Sequence, residues 1–82
     1  MDIQLNQKDM ARLEFISRTI RALRREQKMS QNQLAKLSGL HPSTIKNMER
    51  RFPIYNPTMA LLFRISQALE VDVGVFFSSL DP

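Results

Sequence analysis

Residues 31–50, QNQLAKLSGLHPSTIKNMER, constrain the fold of this chain more than any other segment. Within them a small residue, a glycine and a β-branched residue are spaced as Ala35, Gly39 and Ile45. A small side chain lets two helix backbones approach closely, and glycine readily takes the positive φ with which many helices end. Ile45 returns the second helix to the core between polar residues. The spacing therefore predicts two short helices packed nearly at right angles across a tight turn.

The composition excludes several classes of protein. The 82 residues suffice for one small core but not for a separate ligand-sensing domain. There is no cysteine and a single histidine, so we expect no disulfide, no metal site and no cofactor. No apolar run approaches the roughly 18–20 residues that cross a bilayer, and residues 1–7 resemble neither a signal peptide nor a transit peptide. We therefore expect a cytoplasmic protein with no membrane contact.

Positive charge is concentrated in the middle of the chain. Residues 18–51 hold nine basic residues and two acidic ones, whereas residues 70–82 hold three acidic residues and no basic one. A basic face of this kind is typical of a domain that binds a polyanion, although a basic solvated surface would have the same composition. The predicted pair of helices favours the first interpretation, because its second helix is free to enter the major groove of DNA.

Apolar periodicity predicts an all-α fold, a compact five-helix bundle. The helices are expected at residues 9 to about 27, 30–39, 42 to about 51, 57 onward and 73–80. Asp9, Ser30 and Asp72 are the expected N-caps of the first, second and fifth helices, and Leu37 is assigned to the core beside Leu34. No segment alternates long enough to build a sheet. We expect one domain at residues 9–82 after a flexible arm at residues 1–8.

Four blocks of sequence, in order, resemble the helix-turn-helix domain of phage repressor, Cro and xenobiotic-response-element-type bacterial regulators. They are IRALRREQKMSQNQLAKLSGL, HPSTIKNMERR, NPT and ISQALEVDVGVFF, which together extend over residues 20–77. The resemblance implies a sequence-specific regulator of transcription that binds double-stranded DNA and is not an enzyme. It also implies that the predicted third helix is the recognition helix.

The resemblance guides the assignment of DNA contacts to individual residues. Gln31 begins the second helix, where a side-chain amide and free backbone N–H groups would face a phosphate. An asparagine such as Asn47 can bond an adenine, and a lysine can reach guanine or a phosphate. Pro42 occupies a position where relatives often carry Gln or Arg, so one base contact is lost. The residues assigned to DNA are Gln31, His41, Ser43, Thr44, Lys46, Asn47, Arg50 and Arg51.

The resemblance also implies a salt bridge and a dimer. Basic and acidic residues at the positions of Arg24 and Glu49 brace the recognition helix in similar domains. Relatives dimerise near the C-terminal end, and here Val75, Phe77 and Leu80 are the candidate interface. A two-fold dimer would place two recognition helices about 34 Å apart and would read a palindromic operator.

Two functional alternatives stay open at this point. The leading one is a repressor or a restriction–modification controller, towards which the ending EVDVGVFF leans. The other is an antitoxin that binds DNA and also neutralises a partner toxin, with the apolar loop at residues 52–55 or the tail around Phe77 as its docking surface. Catalysis is not expected, because Ser43, His41 and Asp72 do not form a catalytic triad.

Overall fold

A computed structural model of the chain describes residues 4–78. Within that range lie α1 (Gln7–Glu26), α2 (Gln31–Ser38), α3 (Pro42–Glu49) and α4 (Met59–Leu69), followed by a short 3₁₀ helix at Val73–Phe76. The described residues contain no strand, so the predicted all-α class is confirmed. The fifth element is a single 3₁₀ turn and not the longer helix predicted.

Helix α1 begins earlier than predicted, because Asn6 and not Asp9 is its N-cap. The Asn6 side chain accepts from the Asp9 backbone N at 2.8 Å, and the Asp9 carboxylate accepts from the Asn6 backbone N at 3.0 Å. This reciprocal capping box satisfies two backbone donors that a helix start leaves open. The predicted arm at residues 1–8 therefore overlaps the first turn of α1, and its first three residues lie outside the described range.

The turn between α2 and α3 has the predicted geometry. Gly39 ends α2 with φ +70°, and the Leu40 backbone N donates to the Ala35 carbonyl at 3.0 Å. A Cβ at residue 39 would lie 3.2 Å from the Arg64 guanidinium, so a side chain there would be both strained and crowded. His41 and Pro42 then open α3 as N-cap and first helical residue.

Helix α3 ends at Glu49, with Arg50 as an extended C-cap, slightly before the predicted end at about Arg51. The following loop contains a cis peptide bond between Phe52 and Pro53. Helix α4 then starts after Thr58, whose side chain accepts from the Leu61 backbone N at 3.2 Å.

One hydrophobic core joins all five elements, and α2 packs against both α3 and α4. The prediction that Leu37 belongs to this core is wrong, because the residue is 61% exposed. At 100° per residue, Leu37 lies outside the arc that Leu34, Ala35 and Ser38 turn inward. The buried apolar residues are Ile16, Ile20, Leu34, Ala35, Ile45, Met48, Leu62, Ile65, Leu69 and Phe76.

None of the helices in residues 4–78 is both long enough and apolar enough to cross a membrane.

Candidate nucleic-acid interface

The outer face of α3 is polar along its whole length. Ile45 and Met48 are buried, whereas Ser43 and Lys46 are exposed and Thr44 and Asn47 are half-buried. Pro42 is also half-buried at the start of the helix. Four of the side chains that the resemblance assigned to DNA therefore lie off the core side of one short helix. They are Ser43, Thr44, Lys46 and Asn47.

His41 caps α3 and holds Ser43 beside it. Its Nδ1 accepts from the Ser43 backbone N at 3.1 Å and lies 2.8 Å from the Ser43 Oγ. Because the backbone N–H can only donate, Nδ1 is the acceptor of this hydrogen bond, and Nε2 is the ring nitrogen left to donate to a ligand. The exposed helix start thus presents an imidazole N–H and the lone pairs of a hydroxyl to the solvent, groups that can bond phosphate or a base edge.

A buried ion pair lies directly behind α3. Arg24 Nε donates to Glu49 Oε2 at 2.6 Å, Nη2 donates to Oε1 at 2.9 Å, and Nη1 donates to the Met29 carbonyl at 2.7 Å. The hydrogen bond to Glu49 raises the pKa of Arg24 above its ordinary value, and burial opposes this rise only in part. Such a bidentate pair fixes both the distance and the orientation of the two helices.

Gln31 and Arg21 complete this cluster around Glu49. Gln31 Nε2 donates to Glu49 Oε1 at 3.1 Å, and Arg21 Nη1 donates to the Glu49 backbone carbonyl at 3.2 Å. The Gln31 amide, which was predicted to face a phosphate, is thus tied to the end of α3 through one of its hydrogens. Its other amide hydrogen and the backbone N–H groups at the start of α2 are the groups that could meet a phosphate.

An open cleft of about 390 Å³ separates α1, the start of α2 and the end of α3. The single carboxylate in its lining belongs to Glu49, which already accepts from Arg24 and Gln31. The remaining charge of the cleft is therefore positive, and a cleft lined by charge of one sign concentrates its electrostatic potential. The lining residues are Arg21, Arg24, Arg25, Gln31, Lys46, Asn47, Glu49 and Arg50.

The two arginines after α3 point in different directions. Arg50 Nη1 donates to Asn47 Oδ1 at 2.8 Å and its Nε donates to the Pro53 carbonyl at 3.0 Å. The Arg51 side chain is 82% exposed and is 4.0 Å from the Glu14 carboxylate. Arg50 therefore belongs to the cleft beside the recognition helix, whereas Arg51 lines a separate groove against α1.

A family model for the helix-turn-helix matches residues 20–76, which is more than half of the chain. The chain belongs to the Cro/C1-type helix-turn-helix family.

The solved structures that match include three of a restriction–modification controller protein, C.Esp1396I. A single-residue variant bound to its highest-affinity operator site OM has a TM-score of 0.73 and 36% sequence identity, over 84% of this chain and 88% of that one. The same protein bound to a 19 base pair DNA duplex has a TM-score of 0.72 and 36% identity, over 84% and 89%. A search of curated proteins gives no match.

The C-terminal surface of this helix-turn-helix domain is partly apolar. Phe77 is 48% exposed and Val75 is half-buried, and Leu80 lies outside the described residues. Sequence reasoning missed a second exposed apolar pair, Met59 and Phe63, which lie one turn apart on the outer side of α4. The helical periodicity of α4 could have predicted their exposure, because both positions fall outside the stripe of core residues Leu62, Ile65 and Leu69.

The apolar loop after α3 places one aromatic side chain against the core and another in the solvent. Tyr55 packs against the core, whereas Phe52 is 78% exposed. Phe52 also lines the groove that Arg51 and the first half of α1 form, away from the cleft. The loop therefore contributes Arg50 to the candidate interface, while Phe52 lines a different surface.

Proposed function

We propose that this protein is a sequence-specific regulator of transcription that binds double-stranded DNA through α3. The observation that carries the proposal is the polar outer face of α3 beside a basic cleft, held from behind by the buried pair of Arg24 and Glu49. Support comes from the relative at 36% identity, whose solved structures include a variant bound to an operator site and the protein bound to a DNA duplex. The function is binding, so no catalytic group is needed.

In this proposal the cleft holds the DNA backbone and α3 lies in the major groove. A duplex carries a dense row of phosphates, and cations on the protein replace the counterions that these phosphates release. Lys46, Arg50 and His41 would contact phosphates or the edges of adjacent bases. Ser43, Thr44 and Asn47 would read base edges by hydrogen bonds and by contact of the threonine methyl with thymine.

We propose a homodimer on a palindromic operator, acting in the cytoplasm where chromosomal DNA is located. The candidate interface is the C-terminal surface of Val75 and Phe77, together with Leu80. The two recognition helices of such a dimer would be about 34 Å apart, so each would meet the major groove on the same side of the duplex. A controller of a restriction–modification operon is the leading subtype, because the matching structures belong to that class.

The antitoxin alternative has one feature in its favour, the exposed Phe52 beside an apolar groove. A partner toxin would bury this side chain while leaving the cleft free for DNA. Mixing the purified protein with the product of the neighbouring gene distinguishes the two, since a stable complex with a toxin-sized protein favours the antitoxin. A neighbouring methyltransferase or endonuclease gene favours the controller.

The experiment that tests DNA binding compares two lysines in matched settings. Lys46 and Lys36 are both exposed and both lie in the last turn of an eight-residue helix, but only Lys46 lines the cleft. Lys46→Ala should weaken binding to any duplex and should reduce the slope of log affinity against log salt by about 1. Lys36→Ala should change neither quantity. Equal effects of both substitutions would mean that the cleft does not hold the phosphates.

A further inference from the structure

The side chain of Asn47 has a fixed orientation because Arg50 bonds only one end of its amide. Arg50 Nη1 donates to Asn47 Oδ1 at 2.8 Å, and the guanidinium has no acceptor that could bond the Nδ2 end instead. If the amide were flipped, the hydrogens on Asn47 Nδ2 would face those on Arg50 Nη1, and two donors would meet. The Oδ1 end of Asn47 therefore faces Arg50, and the Nδ2 end is directed away from it.

Arg50 is itself held in place at two further points. Its Nε donates to the Pro53 carbonyl at 3.0 Å, and its backbone N donates to the Asn47 carbonyl at 3.3 Å as the C-cap of α3. Such a long side chain is ordinarily free to rotate at the protein surface, but here both the loop and the helix end restrain it. The contact with Asn47 is therefore part of the structure of the loop.

We propose that Arg50 determines base specificity by fixing the amide of Asn47 and by contacting the same base, so that the pair selects guanine rather than adenine. This inference rests on the proposed function, since it assumes that α3 reads DNA. A free asparagine reads adenine by accepting from N6 through Oδ1 while donating to N7 through Nδ2. In this protein Oδ1 already accepts from a guanidinium, and its second lone pair lies beside that positive group.

The chemistry of the two purine edges decides the direction of the preference. The N6 amino group of adenine is a donor and would approach a lone pair crowded by the donors of Arg50. Guanine presents acceptors at both N7 and O6, which match the Nδ2 hydrogens of Asn47 and the remaining guanidinium hydrogens of Arg50. Asn47 and Arg50 together thus form an edge that consists almost entirely of donors.

The test is selection of binding sites from random duplex DNA with four forms of the protein. The wild type should select guanine at one position of each half-site, by roughly tenfold over adenine. Asn47→Ala should weaken the preference at that position, and Arg50→Ala should change it to adenine. Lys36→Ala is the control, because it removes a positive charge from an exposed residue outside the cleft without touching Asn47. It should retain guanine.

A second measurement on the free protein separates this inference from the proposed function. The side-chain amide NMR signals of Asn47, identified by their loss in Asn47→Ala, should shift in Arg50→Ala and stay in place in Lys36→Ala. A wild type that selects adenine, an Arg50→Ala variant that keeps guanine, or amide signals that do not move would each overturn the role of Arg50. A wild type that enriches no sequence at all would overturn the proposed function, and this inference with it.

Discussion

At the scale of single residues, Glu49 organises the candidate interface. Its carboxylate accepts from Arg24 and Gln31, and its backbone carbonyl accepts from Arg21. One buried acid therefore links α1, the start of α2 and the end of α3. It also neutralises charge inside the domain, while Lys46 and Arg50 remain exposed at the mouth of the cleft.

Removal of Arg24 should be strongly destabilising. Arg24→Met leaves a buried carboxylate without its ion-pair partner, and we expect a loss of about 3–5 kcal/mol in the free energy of unfolding. The double variant Arg24→Met, Glu49→Leu should recover much of this loss, because no charge is then left buried. Urea unfolding of the two variants and the wild type measures both values. A loss below about 1 kcal/mol, or a double variant less stable than Arg24→Met, would contradict this account.

The pH dependence of the pair follows from the raised pKa of Arg24. A basic group whose pKa is raised on folding contributes its full stabilisation at every pH below the pKa of the unfolded chain. It loses this stabilisation only as the pH rises through the higher pKa of the folded state. Both pKa values are far above neutral pH, so the contribution of the pair to the free energy of unfolding should be constant between pH 6 and pH 9. Urea unfolding of the wild type and of Arg24→Met should therefore differ by the same free energy across this range.

The sequence could identify Arg24 and Glu49 only through the resemblance to a family. The hydrogen bond from Gln31 to the same carboxylate was not predicted, because it depends on how closely the start of α2 approaches the end of α3. Nothing in the local sequence encodes a contact between residues 18 positions apart. The contact of Arg50 with Asn47 is local, and a spacing of three residues on a helix could have suggested it.

At the scale of secondary-structure elements, local signals predicted the turn well and the helix ends less well. Gly39 and Pro42 act through the backbone conformations that glycine and proline themselves favour. The turn between α2 and α3 can therefore be predicted from the sequence. Asn6 and Asp9 could each cap α1, and only their reciprocal hydrogen bonds decide between them. The shortening of the fifth helix to a 3₁₀ turn reflects Gly74, a poor helix former whose N–H bonds Asp72 at 2.7 Å.

The N-cap of α3 provides a test at this scale. His41→Ala removes the acceptor for the Ser43 backbone N–H, and we expect a loss of about 1 kcal/mol in stability. His41→Asn should restore most of it, because an asparagine side chain can accept the same hydrogen bond. Thermal unfolding of the two variants makes the comparison. If His41→Asn is as unstable as His41→Ala, the cap does not stabilise α3.

At the scale of the whole molecule, the position of the dimer interface is the main proposal. The surface around Phe77 is partly apolar, with Phe77 itself 48% exposed, and exposed apolar patches often mark contacts between proteins. Sequence periodicity could place Phe76 in the core and Phe77 outside it. It could not show whether Met59 and Phe63, which are also exposed, extend the same surface.

The interface is tested by two phenylalanines that differ in location. Phe77→Ala should shift the mass measured by sedimentation towards that of a monomer, because it removes apolar area from the proposed contact. Phe52→Ala changes the same residue type at a more exposed position outside that surface, and it should leave the dimer intact. An unchanged dimer in Phe77→Ala would place the interface elsewhere.

The central claim is that the outer face of α3 reads DNA sequence. The most direct test is the ratio of affinities for a selected operator and for a scrambled duplex of equal length, measured at one salt concentration. The wild type should prefer the operator by about 10³-fold or more. Asn47→Ala should reduce this ratio by about 5- to 150-fold, equivalent to about 1–3 kcal/mol, with little change on the scrambled duplex. If Asn47→Ala weakens both duplexes equally, α3 does not read bases through Asn47 and the account is wrong.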